Sequence, residues 1–289
     1  MKIYLIDGTF ELFRAYYAGI PGKSPSGQDV GATRGFLRSM ISLIKAGQPC
    51  HLAVAFDHVI ESFRNDLFEG YKTGEGMDPV LHDQFALAEA GIRALGITLW
   101  SMKEFEADDA LATGAVRYSQ DPAVDQVILC TPDKDMAQVV RGDRVVMWDR
   151  IRDTWLDEDG VWKKFGVGPA SIPDLLALVG DKADGVPGIP RWGMKSAAGL
   201  LATWESLDKI PPDPDQWQVK VRGAAGLSRT LEEHRSDAGL YKTLTTLRLD
   251  VPLAESPADL RWRGPAPEWA GFCEQLGDTR LQEAPPPAE

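Results

Sequence analysis

Cysteine is scarce in this chain. Cys50, Cys130 and Cys273 are three among 289 residues, and they are widely spaced. That spacing excludes a disulfide framework and a cysteine zinc site, and it suits a reducing cytoplasm. Histidine is as sparse. His51, His58, His82 and His234 show no metal-ligand spacing. No apolar run is long enough to cross a bilayer, so no membrane role is expected. The first residues enter an apolar run without a basic segment or cleavage site, so no signal peptide is expected. Positive charge is also short: 31 Lys and Arg face 43 Asp and Glu, a net charge of −12. Taken as a total, that opposes nucleic acid, which prefers basic partners. The local distribution of charge decides such a question, not the total.

What remains is an ordinary globular composition, 44% hydrophobic and 26% charged, in one large domain or two modest ones. Short apolar runs at 2–6, 51–56, 97–100, 127–130 and 144–148 read as buried strands. Between them, periods of 3.6 predict helices over 30–47 and 79–95, and a helix opening at the acidic stretch near residue 106. Strands alternating with helices predict an α/β fold with a parallel sheet and right-handed crossovers. Residues 58–79 carry Gly70, Gly74, Gly76 and Pro79 without clean periodicity. They read as an irregular excursion above the sheet. Beyond about residue 155 the chain reads as mostly helical. The division expected is 1–155, 156–283 and a disordered Pro-rich tail at 284–289.

The acids carry the chemistry. Glu106, Asp108 and Asp109 fall within four residues at the start of a helix, where the dipole favours negative charge. Alone, that cluster needs no function. However, Asp7, Asp57, Asp133 and Asp135 each follow a short apolar run, and Asp181 and Asp184 sit on a later turn. In a parallel sheet the strand ends share one edge, where ligands bind. Acids gathered there repel one another, and divalent cations with hard oxygen ligands are the natural compensation.

Five segments, Ile6-Asp7-Gly8, Phe56-Asp57, Glu106-Ala107-Asp108-Asp109, Thr131-Pro132-Asp133-Lys134-Asp135 and Gly180-Asp181-Lys182-Ala183-Asp184, resemble the 5′ nucleases in order and spacing. Those are the flap endonucleases and the 5′-3′ exonuclease domain of bacterial DNA polymerase I, and a stand-alone form is expected. The resemblance implies a PIN-like parallel sheet flanked by helices, with a C-terminal helical subdomain containing a helix–hairpin–helix element at 184–197. It implies that the nine acids named hold two or more magnesium or manganese ions. It implies that Arg14, Arg64 and Lys72 meet the scissile phosphate, under an arch formed by 58–79. Two cations then flank the attacking and leaving oxygens, and a base steadies charge developing on the phosphate. In the same reading Tyr71, Gly188, Arg191, Gly193 and Lys195 contact DNA, and potassium sits in the hairpin turn. The implied substrates are DNA flaps, nicks or gaps, with a separate DNA polymerase as partner.

Two positions depart from the pattern. Arg191 stands where the family usually has a glycine, and Glu75 where relatives usually carry a base. Three rival readings remain beside the nuclease. Asp7-Gly8-Thr9 resembles the end of a phosphatase motif, but Leu5 stands where that chemistry needs a nucleophilic Asp. The others are a non-catalytic nucleic-acid-binding module and a ribonuclease of the wider PIN-like group.

Overall fold

The computed structural model describes residues 1–47 and 51–283. Cys50 and the tail expected at 284–289 lie outside them. In chain order the first elements are β1 (Lys2–Asp7), α1 (Gly8–Tyr17), α2 (Gly31–Gly47), β2 (His51–Asp57), α3 (Phe63–Leu67), α4 (Pro79–Ala94), β3 (Thr98–Met102), α5 (Ala107–Ser119) and β4 (Gln126–Cys130). Then come β5 (Val145–Asp149), β6 (Thr154–Leu156), α6 (Glu158–Phe165), α7 (Ile172–Val179), α8 (Met194–Trp204), α9 (Ala224–Glu233), α10 (Arg235–Thr245) and α11 (Trp269–Leu276). They form two compact units. Unit 1 holds Met1–Ile60, Gly74–Thr131 and the chain from Leu249 onward; unit 2 holds Glu61–Thr73 and Pro132–Arg248. The division expected at residue 155 is contiguous along the chain. These units are not, because the chain returns to unit 1 at Leu249.

In unit 1 four strands run parallel in the order β3-β2-β1-β4, with Ile3 opposite both His51 and Val127 and Ala53 opposite Thr98. The middles of β1, β2 and β4 are apolar and buried, as strands covered on both faces are. Leu5, Ile6, Val54, Ala55, Phe56, Ile128 and Leu129 are all fully buried. Helices α1, α2 and α4 pack on one another, while α5 packs on the strands with a stripe of Ala110, Leu111 and Ala115. Gly114 allows that close approach: a Cβ there would meet the Trp100 ring at 2.8 Å. Helix α1 is not among the helices that the periodicity predicts. It follows β1 directly because Asp7 caps it and because Gly8 has no Cβ, which would lie 2.6 Å from Val54 and Phe56.

In unit 2, β5 and β6 pair antiparallel, Met147 opposite Leu156. The Asp149 carboxylate accepts the Ile151 and Arg152 amides and closes the turn. The Trp148 and Trp155 rings stack at 4.9 Å across the pair. The remainder is helical, as expected. α7 is apolar on nearly every side and buried, and it packs against α8 and α10. The segment 58–79 contains one short helix, α3, capped by Ser62.

Candidate active site

In unit 1, Asp7 and Asp57 end adjacent parallel strands. Asp7 is buried. Its Oδ1 accepts the Phe10 amide at 2.8 Å and its Oδ2 accepts the Thr131 hydroxyl at 3.0 Å. Asp57 Oδ1 accepts the Ala107 amide, the first of α5, at 2.7 Å. The Asp57 amide in turn donates to the Thr9 hydroxyl at 2.9 Å. Glu106 is the N-cap residue of α5 and is buried; Asp108 is half-buried in the first turn. Asp109 is fully buried, and its Oδ2 accepts the Glu106 amide at 3.0 Å. Helix N-termini and hydroxyls therefore hold these acids, so part of the unit 1 cluster does the dipole-compensating work that an acidic helix start does anywhere.

Unit 2 gathers the other acids more tightly. Carboxylate oxygens of Asp135, Asp181 and Asp184 lie within 4.8 Å of one another, the one such group of three among the described residues. Asp133 Oδ1 accepts the Asp135 amide at 2.9 Å and fixes the turn that carries Asp135. Asp181 pairs with Val186 through two backbone bonds of 2.8 Å, and its Oδ1 accepts the Ala183 amide. Burial, then the charge of Asp133, pushes the Asp135 carboxyl well above the ordinary carboxylate range. Asp135 Oδ1 is buried and receives no hydrogen bond. The Lys134 ammonium stands 3.5 Å from it and also pairs with Asp181. Burial works against the Lys134 charge, yet Asp135 and Asp181 hold its pKa above the usual lysine value. A buried carboxylate oxygen without a donor, beside two further carboxylates, is what a hard divalent cation fits.

The basic residues split. Lys72 is half-buried, with its Nζ 3.0 Å from Asp184 Oδ1 and its amide donating to the Asp184 carbonyl. Arg14 pairs with buried Glu11 and donates to Ser39 Oγ at 2.9 Å, an ion pair within unit 1. Arg64 is held within unit 2. Its side chain is 1% exposed, with Nε donating to the Leu244 carbonyl at 2.8 Å and Nη2 to the Thr246 carbonyl at 3.0 Å. It fastens α3 to the C-terminal end of α10, where carbonyls lack helical partners. So placed, the guanidinium clasps α3 to α10.

Among the expected DNA contacts, Tyr71 is likewise core, packed with Val186 and Leu244. Gly188 has φ +73, and a Cβ there would lie 2.4 Å from the Gly180 amide nitrogen, so the turn admits only glycine. Arg191, with φ +74, holds the left-handed conformation that the family's glycine would adopt freely, and its guanidinium lies against Gly226 of α9. Gly193 and Lys195 are exposed at the start of α8, which has no side-chain cap. Sequence reasoning gives no part in the site to Thr9, Thr131 and Lys134. All three lie within two residues of a named acid, and a hydroxyl or ammonium flanking a buried carboxylate is the signal that could have found them.

A family model described as the 5′-3′ exonuclease N-terminal resolvase-like domain matches residues 2–166, and its companion, the 5′-3′ exonuclease C-terminal SAM fold, matches 167–268. The chain belongs to the 5′-3′ exonuclease family. A 5′-3′ exonuclease of Aquifex aeolicus is 35% identical over 217 residues, covering 75% of this chain and 74% of that one. DNA polymerase I of Pseudomonas aeruginosa is 40% identical over 260 residues, which is 87% of this chain but 28% of the polymerase. The chain thus spans just over a quarter of that longer relative. Among solved structures, T5 5′-exonuclease with bound zinc superposes with a TM-score of 0.68 at 18% identity, covering 85% of this chain and 89% of that one. The catalytic core of Rad2 in complex with DNA substrate gives 0.64 at 17%, covering 98% and 91%. These likenesses agree with the fold described: a mostly parallel sheet flanked by helices, followed by a helical region. Among the described residues, no helix is long and apolar enough to cross a membrane.

Proposed function

We propose that this member of the 5′-3′ exonuclease family is a metal-dependent, structure-selective 5′ nuclease that hydrolyses DNA phosphodiesters at flaps, nicks or gaps in replication or repair. The observation that carries the reading is the unit 2 carboxylate group, with the donorless buried oxygen of Asp135 at its centre. On this reading Asp133, Asp135, Asp181 and Asp184 hold divalent metal in unit 2, and Asp7, Asp57, Glu106, Asp108 and Asp109 do so in unit 1. Magnesium or manganese, when bound, supplies the Lewis-acid charge that a repulsive phosphodiester needs before water can attack it.

The chain's own residues do the rest. Thr131 and the Ala107 amide fix the carboxylates of Asp7 and Asp57, and Thr9 fixes the Asp57 backbone, so little reorganisation is needed as charge develops. Lys72, carried beside Asp184 by a backbone bond, brings an ammonium to the phosphate. The uncapped first turn of α8 offers free-pointing amides, with Lys195 beside them, to duplex phosphates. The turn around Gly185 and Gly188 is the proposed potassium site. A DNA polymerase, whether separate or fused as in the Pseudomonas relative, is the proposed partner, and the cytoplasm the proposed compartment. The phosphatase reading loses its ground because Leu5, in the nucleophile's place, is fully buried in β1.

The test is incubation with a labelled DNA flap, a gapped duplex, single-stranded RNA and a small phosphate ester, each with and without magnesium. Magnesium-dependent cleavage of the flap or gap supports the reading. Binding without cleavage makes the chain a nucleic-acid-binding module, and cleavage of RNA alone makes it a ribonuclease.

A further inference from the structure

Three carboxylates held within reach of one cation would repel one another in its absence, yet this unit packs Asp135 and Asp181 into buried positions. Something must offset their charge. The Lys134 side chain lies between them, its ammonium paired with Asp181 Oδ2 and 3.5 Å from Asp135 Oδ1. Its backbone is held there, since the flanking Asp133 caps the Asp135 amide and opens the 3-10 turn Lys134–Val139. The third carboxylate, Asp184, pairs with Lys72. Each of the three carboxylates that a divalent cation would use thus already faces an ammonium.

We propose that Lys134 is the internal counter-cation of this site: it holds Asp181 while no divalent ion is bound, and must leave Asp181 for one to be held. The inference rests on the reading that these acids bind metal. An ammonium is well suited to such a part. It satisfies carboxylate lone pairs through N–H donors, so it occupies the same oxygens that a hard cation requires. Unlike a guanidinium, it is a compact charge on a flexible four-carbon stem. With about a third of its side chain exposed, Lys134 has a path to solvent. Lys134 therefore stabilises the metal-free protein and weakens metal binding, two effects of one interaction. Removing it should shift them in opposite directions.

The test is calorimetric titration of the metal-free full chain with manganese chloride alone, joined to thermal melting with and without manganese. Lys134→Met keeps the length of the side chain and removes its charge. We expect its affinity at one site to rise on the order of ten-fold or more. We also expect a lower melting temperature without metal, with manganese giving a larger rise than in the wild type. Lys134→Arg should stay near the wild type or bind more weakly. Where Lys134→Met is recovered only in metal, Lys134→Gln carries the same expectation. Wild-type-like or weaker manganese affinity in the neutral variants overturns the proposal while leaving the metal reading intact. Absence of manganese binding in wild type and variants alike overturns both.

Discussion

The clasp that Arg64 forms on the end of α10 makes a quantitative prediction. Arg64→Ala removes two hydrogen bonds from a charged donor, to the carbonyls of Leu244 and Thr246. Such bonds contribute roughly 1.5–3 kcal/mol each, and truncation strands the buried acceptor. The guanidinium also lies 4.6 Å from the Phe63 ring centroid, so its cation–π contact goes as well. Thr246 Oγ1 is exposed and its carbonyl part-buried, so water recovers some of that bond. The net expectation is a loss of about 3–4 kcal/mol, a large share of the roughly 5–15 kcal/mol typical of a domain. Urea unfolding of the metal-free protein reads this directly. Arg64→Lys, which keeps the charge but cannot reach both carbonyls with a fixed fork, should lose most of the same stability. Single-turnover cleavage at saturating enzyme, under conditions where the variant is folded, should fall less than about ten-fold. A stability loss below about 1 kcal/mol together with a roughly hundred-fold slower chemical step would refute the clasp and return Arg64 to the phosphate.

Four further outcomes are expected. Asp108→Asn should abolish magnesium-dependent flap cleavage while circular dichroism and metal-free melting stay as in the wild type or improve, because an amide removes repulsion at nearly equal volume; wild-type cleavage would remove Asp108 from the metal set. Lys72→Ala should slow single-turnover cleavage on the order of a hundred- to a thousand-fold, with a smaller change in flap affinity measured in calcium; a binding defect with an unchanged saturated rate makes Lys72 a steering charge. Arg191→Gly relieves a left-handed φ of +74 and should raise unit 2 stability by about 1 kcal/mol in denaturant titration, while flattening the salt dependence of duplex binding if the side chain meets phosphate. The raised Asp135 pKa also fixes a sign. The folded state holds that proton more tightly, so metal-free stability is fully present below the ordinary carboxylate range and is lost as pH rises through the raised folded value. Melting across that window should show the decline, Asp135→Asn should flatten it, and an unchanged slope in that variant would assign the decline elsewhere.

What can be read from the sequence follows a physical divide. The ends of β1 and β2 are legible because an apolar run that stops abruptly at Asp7 or Asp57 reads as little else than a buried strand reaching the sheet edge. The acidic start of α5 is legible because helix N-termini have a charge preference of their own. Helix α1 is not, since its aromatic-rich stretch Gly8–Tyr17 buries only Gly8, Glu11, Leu12 and Ala15 and so lacks a broad apolar face. The hairpin strand β6 is three residues long with Trp155 half-exposed, too short for any period to register. The clasp of Arg64 is not legible for a different reason. Its carbonyl partners lie 180 and 182 residues downstream, and a motif position does not say which way a long side chain turns.

The two acid groups also show that crowded carboxylates can be made tolerable by different means, with different consequences. In unit 1 the donors to Asp7, Asp57 and Asp109 include backbone amides and a threonine hydroxyl, which are neutral. They orient the oxygens and lower the energy of the charged form, but they leave the negative charge in place. In unit 2 the partners include the ammoniums of Lys134 and Lys72, which cancel charge as well as satisfy lone pairs. Neutral donors can remain when a cation arrives, because a carboxylate oxygen has lone pairs for both. Ammoniums resist a cation's arrival, since like charges cannot share the same oxygens cheaply. A site built the first way is preorganised for metal. One built the second way is stable without it, and its affinity is set by how readily the lysines let go.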